Sequence, residues 1–400
     1  MDVKKLADLY KDELLNGVLP FWLQHSIDRT FGGYFSCLNR DGSVYDTDKF
    51  VWMQARQVWL FSMLYNTMER RQEWLDCAID GGAFLQQHGH DGQYNWYFSL
   101  DRQGNPLVEP YNIFSYTFAT MAFGQLSRAT NNDAYAETAL RTFHNILARM
   151  DNPKGRWDKS HPGTRTLKSF ALPMILCNLA LEIEHLLDTQ VLHSLMDTCT
   201  YEVLEVFSRS ELGGLVVENV TSDGALSDTF EGRLVNPGHA IEAMWFIMDL
   251  GQRMKRPALI EKAVKITLAM LEYGWDKEYG GIFYYKDRLG FPLQQLEWDQ
   301  KLWWVHVETL ISLIKGYALT GSTECRQWFE RLHDYTWSHF KDPDYPEWFG
   351  YLNRRGEPLL ELKGGKWKGC FHIPRGLYQC WRTLEELQTK NEEQDVIHHS

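Results

Sequence analysis

The chain has 400 residues, of which 44% are hydrophobic, and a formal net charge of −12. This size suits two domains or one large closed architecture, and it excludes a single small domain. An acidic chain without a basic stripe argues against a nucleic-acid partner, and the lack of any apolar run of about 18 residues argues against a membrane span, so we expect a soluble protein.

A short glycine motif recurs along the chain at intervals of roughly 60 to 70 residues, which marks a repeated supersecondary unit. In the first copy, glycines lie among aromatic residues over 31–35, and a turn glycine follows at Gly42. Each copy predicts a β-hairpin or a long structured loop. Further copies occupy residues 92–104, 213–224, 279–290 and 348–356, with a degenerate copy at 154–157.

Two helices are predicted after most copies, first an apolar helix and then, after a short polar turn, a more charged one. The N-terminal helix is predicted at about 3–24 and pairs with the last helix at about 374–387. The helices between them are predicted at 51–66 and 72–87, 113–126 and 133–148, 167–187 and 191–207, 239–253 and 257–273, and 303–320 and 323–340.

Roughly twelve helices in six pairs predict an all-α fold, an (α/α)6 barrel with short β-hairpins in the loops at one end. The apolar helices form the inner ring and the charged helices the outer ring, since an all-round apolar helix must be buried. No linker or change in composition interrupts the pattern. We therefore expect one domain over residues 1–387, followed by a polar C-terminal tail over 388–400.

The start of each inner helix should border a central pocket, because the loops share one end of the barrel. In several repeats, a candidate residue at the start of the inner helix lies about 14 to 16 positions after the turn glycine. These residues should therefore occupy equivalent places in different repeats. Glu242 lies one turn after His239, on the same helical face, and Glu308 one turn after Trp304. The residues that share this register are Arg56, His239, Trp304, His306 and His372.

Two histidines around one pocket suit the transfer of a proton at pH 7, because imidazole titrates near about 6.5. Removal of a proton next to a carbonyl leaves an enolate, which Arg56 and the helix N-termini can stabilise. Bases on opposite faces of one carbon would invert it. One base that returns the proton to the neighbouring carbon would instead interconvert an aldose and a ketose.

Each candidate also has a structural interpretation. His239 or His372 could cap a helix, Arg56 could form a structural ion pair, and the glutamates could only orient a histidine. A metal site made of His239, Glu242 and His372 is conceivable, but no HExxH spacing occurs and we expect no metal. The two glutamates could also be the carboxyl pair of an inverting glycosidase, which would leave both histidines unexplained. The remaining alternative is a binding protein without catalysis.

Further residues are candidates for binding a sugar. Trp304 and Trp367 could stack on a sugar ring or simply fill the core. His306 is assigned a supporting role in the pocket. We add Asn178 and Tyr111 as candidate substrate-binding residues.

A locally basic stretch over 154–165 stands out in this acidic chain, and it could hold phosphate groups. It lacks the GxxxxGK[ST] spacing of a phosphate-binding loop, so a solvated surface loop is the alternative. Its candidate residues for a nucleotide are Lys154, Lys159 and Arg165.

The seven cysteines are odd in number and show no CxxC spacing. Disulfides persist in oxidising compartments, where an even, patterned set is typical. We therefore expect free thiols and a cytoplasmic protein.

Four stretches, at residues 46–56, 230–239, 297–308 and 364–372, resemble the N-acylglucosamine 2-epimerase family, and the similarity extends from about residue 5 to residue 387. The resemblance implies an (α/α)6 barrel that interconverts N-acetyl-D-glucosamine and N-acetyl-D-mannosamine, usually as a homodimer. It implies ATP as an effector that is not consumed, and no metal. By motif match the catalytic residues are Arg56, His239, Glu308 and His372, with Glu242 beside them.

The same family contains cellobiose 2-epimerases and mannose isomerases that share the histidine pair. The pair alone therefore does not determine the substrate. An aldose–ketose isomerase, or a 2-epimerase for cellobiose or mannose, is the alternative function on the same scaffold.

Overall fold

The structure is a computed structural model that describes residues 1–161 and 163–398. Its described residues contain thirteen α-helices, of which the first two are joined by a π-helical segment, Glu13–Val18, into one element. The helices are α1 (Val3–Asp12), α2 (Leu19–His25), α3 (Val51–Thr67), α4 (Gln72–His88), α5 (Ile113–Thr130), α6 (Asp133–Ala148), α7 (Ala171–Glu182), α8 (Thr189–Tyr201), α9 (Pro237–Arg253), α10 (Pro257–Gly274), α11 (Trp303–Thr320), α12 (Thr323–His339) and α13 (His372–His398).

Six helices form the inner ring, in the order α3, α5, α7, α9, α11 and α13, and each packs against the next. The ring closes where the Tyr378 hydroxyl of α13 donates to Thr67 Oγ1 of α3 at 2.9 Å. The burial of the helices matches their place in the two rings. The inner helix α3 is buried at every position over 51–64, whereas the outer helix α4 is buried on one face only. The predicted (α/α)6 barrel is confirmed.

Most helix boundaries agree with the sequence predictions to within a few residues, with two exceptions. The helix predicted at 167–187 is the shorter α7 (Ala171–Glu182), because residues 167–169 form a strand. α13 begins at His372 and extends to His398, well past the predicted end at residue 387. The residues predicted to be a polar tail thus continue the last helix in the described part of the chain. The division into one domain over 1–387 and a tail remains a prediction. Within the described residues, the search for a helix both long and apolar enough to span a membrane found none.

Twelve short strands lie in the loops at one end of the described barrel, and all their pairings are antiparallel. Some form the predicted hairpins within one loop, but others join neighbouring loops, which the sequence did not indicate. The sheets are β1 (Lys49–Phe50), β2 (Ser99–Leu100) and β3 (Pro106–Val108); β10 (Lys301–Leu302), β11 (Tyr351–Leu352) and β12 (Pro358–Leu360); β4 (Leu167–Ser169) with β7 (Asn219–Thr221); β5 (Ser208–Arg209) with β6 (Leu215–Val216); and β8 (Leu234–Val235) with β9 (Lys286–Asp287).

Three buried ion-pair clusters hold these loops together, and each contains one aspartate, one fully buried lysine and one arginine from another loop. In the cluster of Asp276, Lys301 Nζ lies 3.0 Å and Arg354 Nε 2.9 Å from the carboxylate. Because a buried charge is costly unless it is paired, each cluster fixes three segments relative to one another. The other two clusters are Asp28 with Lys49 and Arg102, and Asp342 with Lys363 and Arg40.

The turn glycines pack against the outer helices. Gly42 has a φ of 85°, and a Cβ there would lie 2.5 Å from the imidazole of His25. Gly356 repeats the arrangement with a φ of 90° and 2.4 Å to His339. A side chain at either position would meet both a strained backbone and a filled space. These turns therefore set where each following inner helix begins.

Candidate active site

His239 lies in the first turn of α9. Asn236 caps this helix, since its Oδ1 accepts from the His239 backbone N–H at 3.1 Å, and Pro237 occupies the first helical position. The His239 side chain keeps 26% of its surface exposed. Its Nδ1–H donates to Glu218 Oε2 at 3.0 Å, so Nε2 is the nitrogen left for a ligand.

His372 is the first residue of α13, and its side chain is almost fully buried. Its Nδ1–H donates to Glu308 Oε1 at 2.7 Å, which again leaves Nε2 for a ligand. Glu308 lies on α11 and is itself fully buried, where Trp245 Nε1–H donates to its other oxygen at 2.9 Å. Both predicted histidines thus carry a carboxylate on the same ring nitrogen.

Trp304 lies next to both imidazoles. Its ring centroid is 5.1 Å from that of His239 and 5.9 Å from that of His372, with interplanar angles of 34° and 36°. Two histidines that are 133 residues apart in the chain therefore meet around one indole. These three residues share the predicted register at the start of the inner helices, and the structure places their rings next to one another.

Arg56 lies on α3 among three aromatic rings. Its guanidinium carbon is 4.1 Å from the centroid of Phe118 and 4.8 Å from those of Trp52 and Phe371. In the described part of the chain its side chain has no hydrogen bond or ion pair, and its Nε is buried without a partner. Burial, together with the charge of Arg375, lowers the pKa of Arg56 to about 9. An unpaired buried cation favours a ligand that develops negative charge.

Arg375 connects the two glutamates behind the imidazoles. Its guanidinium pairs with Glu242 and lies 2.6 Å from Glu308, while the arginine is only 1% exposed. Burial alone would lower the pKa of Arg375, but the two carboxylates raise it above its ordinary value. The sequence reasoning missed this residue, although its position one turn after His372 puts both on one helical face.

The two imidazoles differ in their electrostatic environment. Burial lowers the pKa of His239, but the charge and hydrogen bond of Glu218 outweigh it and the pKa is raised. Burial and the charges of Arg56 and Arg375 hold the pKa of His372 well below its ordinary value. One imidazole is therefore biased toward the charged form and the other toward the neutral form.

Only one group of metal-ligand type was found among the described residues, Glu242, Glu308 and His372, whose ligand atoms lie within 4.8 Å of one another. It differs from the set considered from the sequence, which had His239 in place of Glu308. The Arg375 guanidinium already bonds to both carboxylates, so a divalent cation would have to displace a buried positive charge.

His306, predicted to support the substrate pocket, is bonded to the backbone and has no ring nitrogen left for a ligand. The residue is fully buried, its Nδ1–H donates to the Leu302 carbonyl at 2.7 Å, and its Nε2 accepts from the Ile282 N–H at 3.0 Å. Burial lowers the pKa of His306 to about 3. Both ring nitrogens are bonded to the backbone of the loop between α10 and α11, so this histidine ties the start of α11 to that loop. Its position two residues after Trp304 turns it away from the pocket.

The other candidate sugar-binding residues keep their predicted status. Trp367 is 50% exposed and packs edge-to-face on Trp52 at 5.2 Å, beside Arg56. Tyr111 is half-buried against Phe98 at 5.1 Å. Asn178 is buried on α7, where its amide meets only the Met121 sulfur at 3.8 Å.

The basic stretch lies on the surface. Lys154 and Lys159 are exposed and form no ion pair with any described residue, whereas Arg165 lies 3.7 Å from Glu231. Residues 155–157 form a single turn of 3₁₀-helix. A nucleotide site in this stretch remains a prediction.

Glu218 is the other residue that sequence reasoning missed. It lies in the link between β6 and β7, where its N–H donates to the Leu234 carbonyl and its carbonyl accepts from the Phe170 N–H. It does not share the register of the inner helices, so the spacing that located His239 could not locate its partner.

A pocket with two histidines that each keep Nε2 for a ligand is suited to proton transfer on a bound substrate. The sequence model of the N-acylglucosamine 2-epimerase (GlcNAc 2-epimerase) family matches residues 33–374. The chain belongs to the N-acylglucosamine 2-epimerase family.

The relatives agree over nearly the whole chain. The N-acylglucosamine 2-epimerase of Bos taurus is 40% identical over 389 residues, which cover 94% of this chain and 90% of that protein. The enzyme of the same name from Homo sapiens is 38% identical over 386 residues, with 94% and 90% covered. The cellobiose 2-epimerase of Bacillus thermoamylovorans superimposes with a TM-score of 0.82 over 96% of this chain and 100% of that one. At 20% identity this last likeness supports the fold alone.

Proposed function

We propose that the protein interconverts N-acetyl-D-glucosamine and N-acetyl-D-mannosamine by removing the proton at C2 and returning one on the other face. The observation that carries the proposal is the arrangement of His239 and His372 around Trp304, each with a carboxylate on Nδ1 and a free Nε2. The substrate class follows from relatives about 40% identical over nearly the full length.

The reaction uses the open-chain aldehyde, because a proton at C2 is acidic only beside the C1 carbonyl. One imidazole takes this proton through Nε2, and the electron pair moves to the C1 oxygen to give an enolate. Arg56, whose guanidinium has no partner in the described chain, stabilises the oxyanion. The other imidazole then donates its proton to C2 from the opposite face, and the product is the epimer.

The alternative functions have less support. An inverting glycosidase needs two independent carboxyls, one of them protonated, whereas Glu242 and Glu308 share one arginine. An aldose–ketose isomerase, or a 2-epimerase of cellobiose or mannose, would use the same histidines. The chain is much more similar to enzymes named for N-acylglucosamine than to the cellobiose 2-epimerase superimposed above.

The test is to incubate the enzyme with N-acetylmannosamine in heavy water and to follow C2 by NMR. The expected product is N-acetylglucosamine with deuterium at C2. A ketose product, or an epimer without deuterium, would contradict the proposal.

Substitution of either imidazole supplies the second half of this test. His372→Ala and His239→Ala should each lower turnover by about 10³-fold or more while leaving the thermal midpoint near the wild-type value. His193→Ala is the matched control, because His193 is exposed on the outer helix α8 and should retain full activity.

We further propose that ATP stimulates the enzyme without being consumed, and that the exposed Lys154 and Lys159 contribute to its binding. The support is the family resemblance and the positive charge of this stretch. A Lys154→Gln/Lys159→Gln variant should lose stimulation but keep its activity without ATP. Activation that survives this change would exclude the site.

A homodimer and a cytoplasmic location complete the proposal. Light scattering on the purified protein tests the first, and a monomeric mass would contradict it. The cytoplasmic location is supported by seven cysteines that are all buried and unpaired. Cell fractionation tests it.

A further inference from the structure

The two histidines have carboxylate partners of different kinds. Glu308 accepts hydrogen bonds from His372 and Trp245 and also pairs with Arg375, so its negative charge stabilises a charged His372 imidazole only weakly. Glu218 has a single side-chain partner among the described residues, the Nδ1 of His239 at 3.0 Å. A carboxylate whose charge is not divided favours a positively charged imidazole.

Glu218 is also held firmly in place. Its backbone N–H donates to the Leu234 carbonyl at 3.0 Å, and its carbonyl accepts from the Phe170 N–H at 2.9 Å. Its side chain is 11% exposed. Backbone bonds on both sides fix the carboxylate relative to the start of α9, so His239 meets it in one orientation.

We propose that Glu218 is the positioning residue that keeps His239 in the imidazolium form, so that in the resting enzyme His239 is the acid and His372 is the base. This inference rests on the proposed function and adds a direction to it. Glu218 does not touch the reacting carbon and acts only through the imidazole.

The proton balance of one turnover follows from this assignment. The C2–H bond breaks, its proton goes to His372 Nε2, and its electron pair goes to the C1 oxygen. The His239 Nε2–H bond then breaks as its proton forms the new C2–H bond, and the enolate pair returns to C2. His239 is left neutral, with its Nδ1–H on Glu218, and His372 is left charged. Exchange with water resets both imidazoles.

The charged and titratable groups around the imidazoles agree with this direction. Glu242 favours a charged His239 in addition to Glu218. Tyr284 and Tyr285 face Glu218, and its charge raises the pKa of both phenols in addition to the larger effect of burial, so they stay neutral. The groups that face His372 are Arg56, Arg375, Glu242, Glu308 and His239 itself. Two arginines accompany the two glutamates around His372, whereas the charges that act on His239 are the carboxylates of Glu218 and Glu242.

The experiment measures the pH profile of kcat/KM for Glu218→Gln, which keeps the size of the side chain and removes its charge. In the wild type, activity falls at high pH when His239 loses its proton. Without the carboxylate this alkaline limb should move to lower pH by about 1 unit, and kcat should fall roughly 100-fold at pH 7. The acid limb, which His372 sets, should move less.

Two further variants separate positioning from folding. Glu218→Asp retains the charge and should restore most of the alkaline limb. Glu211→Gln removes one charge from an exposed position that pairs with Arg209, and its profile should match the wild type. If Glu218→Gln is too slow for a profile, an NMR titration of the His239 imidazole in the folded variant gives the same shift directly.

The outcomes are distinct. An alkaline limb, or a directly titrated His239, that does not move in Glu218→Gln would overturn the proposal, even if kcat falls. Deuterium incorporation at C2 by the wild type is measured in parallel. If the wild type fails to incorporate it, the proposed function itself is wrong, whereas normal exchange with an unmoved limb rejects only the role of Glu218.

Discussion

The buried arginine behind the imidazoles allows a quantitative prediction. Arg375→Met removes a guanidinium that is 1% exposed and leaves Glu242 and Glu308 without their common partner. Loss of one member of a buried ion pair costs about 3 to 5 kcal/mol, because the remaining charge stays buried. Unfolding entropy of about 2.1 cal/mol/K per residue gives roughly 0.8 kcal/mol/K for this chain, so the thermal midpoint should fall by about 5 °C.

The same change should alter catalysis in a definite direction. Arg375 is one of the cations that lower the pKa of His372, so the pKa should rise when it is removed. A base with a higher pKa is protonated over more of the pH range. The acid limb of kcat/KM should therefore move to higher pH, and the loss of activity should be smaller at pH 8.5 than at pH 6.5.

Calorimetry and a pH profile test both parts. Arg253→Met is the matched control, because Arg253 also lies on a barrel helix but is exposed and pairs with a partly exposed Glu184. An exposed pair contributes at most about 1 kcal/mol, so the control should lose about 1 °C or less. An Arg375→Met enzyme with the wild-type midpoint and an unmoved acid limb would refute the reasoning.

Three further changes distinguish catalytic from structural residues. Arg56→Met should lower kcat by about 10²- to 10³-fold and leave the thermal midpoint equal or higher, because it removes an unpaired buried charge; an unchanged kcat would contradict this. His306→Ala should lower the free energy of unfolding by about 1 to 3 kcal/mol, since Ile282 and Leu302 lose their buried partners, while KM changes little; a raised KM without destabilisation would restore His306 to the pocket. Asp276, whose pKa is held at about 2 against burial by Arg354 and Lys301, stabilises the fold above the ordinary aspartate pKa near 4, and this stability is lost as pH falls toward 2. Asp276→Asn should therefore be less stable than the wild type at pH 7 by about 2 to 3 kcal/mol in urea titrations, with the difference shrinking below pH 4; a constant difference would contradict the assignment.

Most of the fold can be predicted from the regular spacing of the repeats in the sequence. The spacing of the turn glycines located the inner helices, and the all-round apolar composition of α3 indicated which ring it joins. The same register predicts that His239, His372 and Trp304 lie together, as the structure shows them. The register also grouped His306 with them, although that imidazole is buried and bonded to the backbone, because a register counted in residues does not say toward which side of a helix a side chain points. Two residues after Trp304 is about half a turn away.

The residues that the sequence analysis missed do not follow from the spacing of the repeats. Glu218 lies in an irregular link whose position depends on backbone bonds to Leu234 and Phe170, and both are tertiary contacts. Lys49, Lys301 and Lys363 appear in the sequence as ordinary surface charges, yet each is fully buried on an aspartate. A pattern of residue types predicts which face of an element is apolar, but it does not predict which charges find a buried partner.

The repeats also explain how one scaffold can carry an asymmetric site. Three of the six repeats contain the same ion-pair cluster, so the part that fixes these three loops is chemically the same. The residues at the start of the inner helices differ instead: a cation on α3, imidazoles on α9 and α13, and an indole on α11. A symmetric frame would offer both faces of a substrate the same groups. Divergence at these positions, together with unequal partners for the two imidazoles, would place an acid on one face of the substrate and a base on the other, as the proposed inversion of C2 requires.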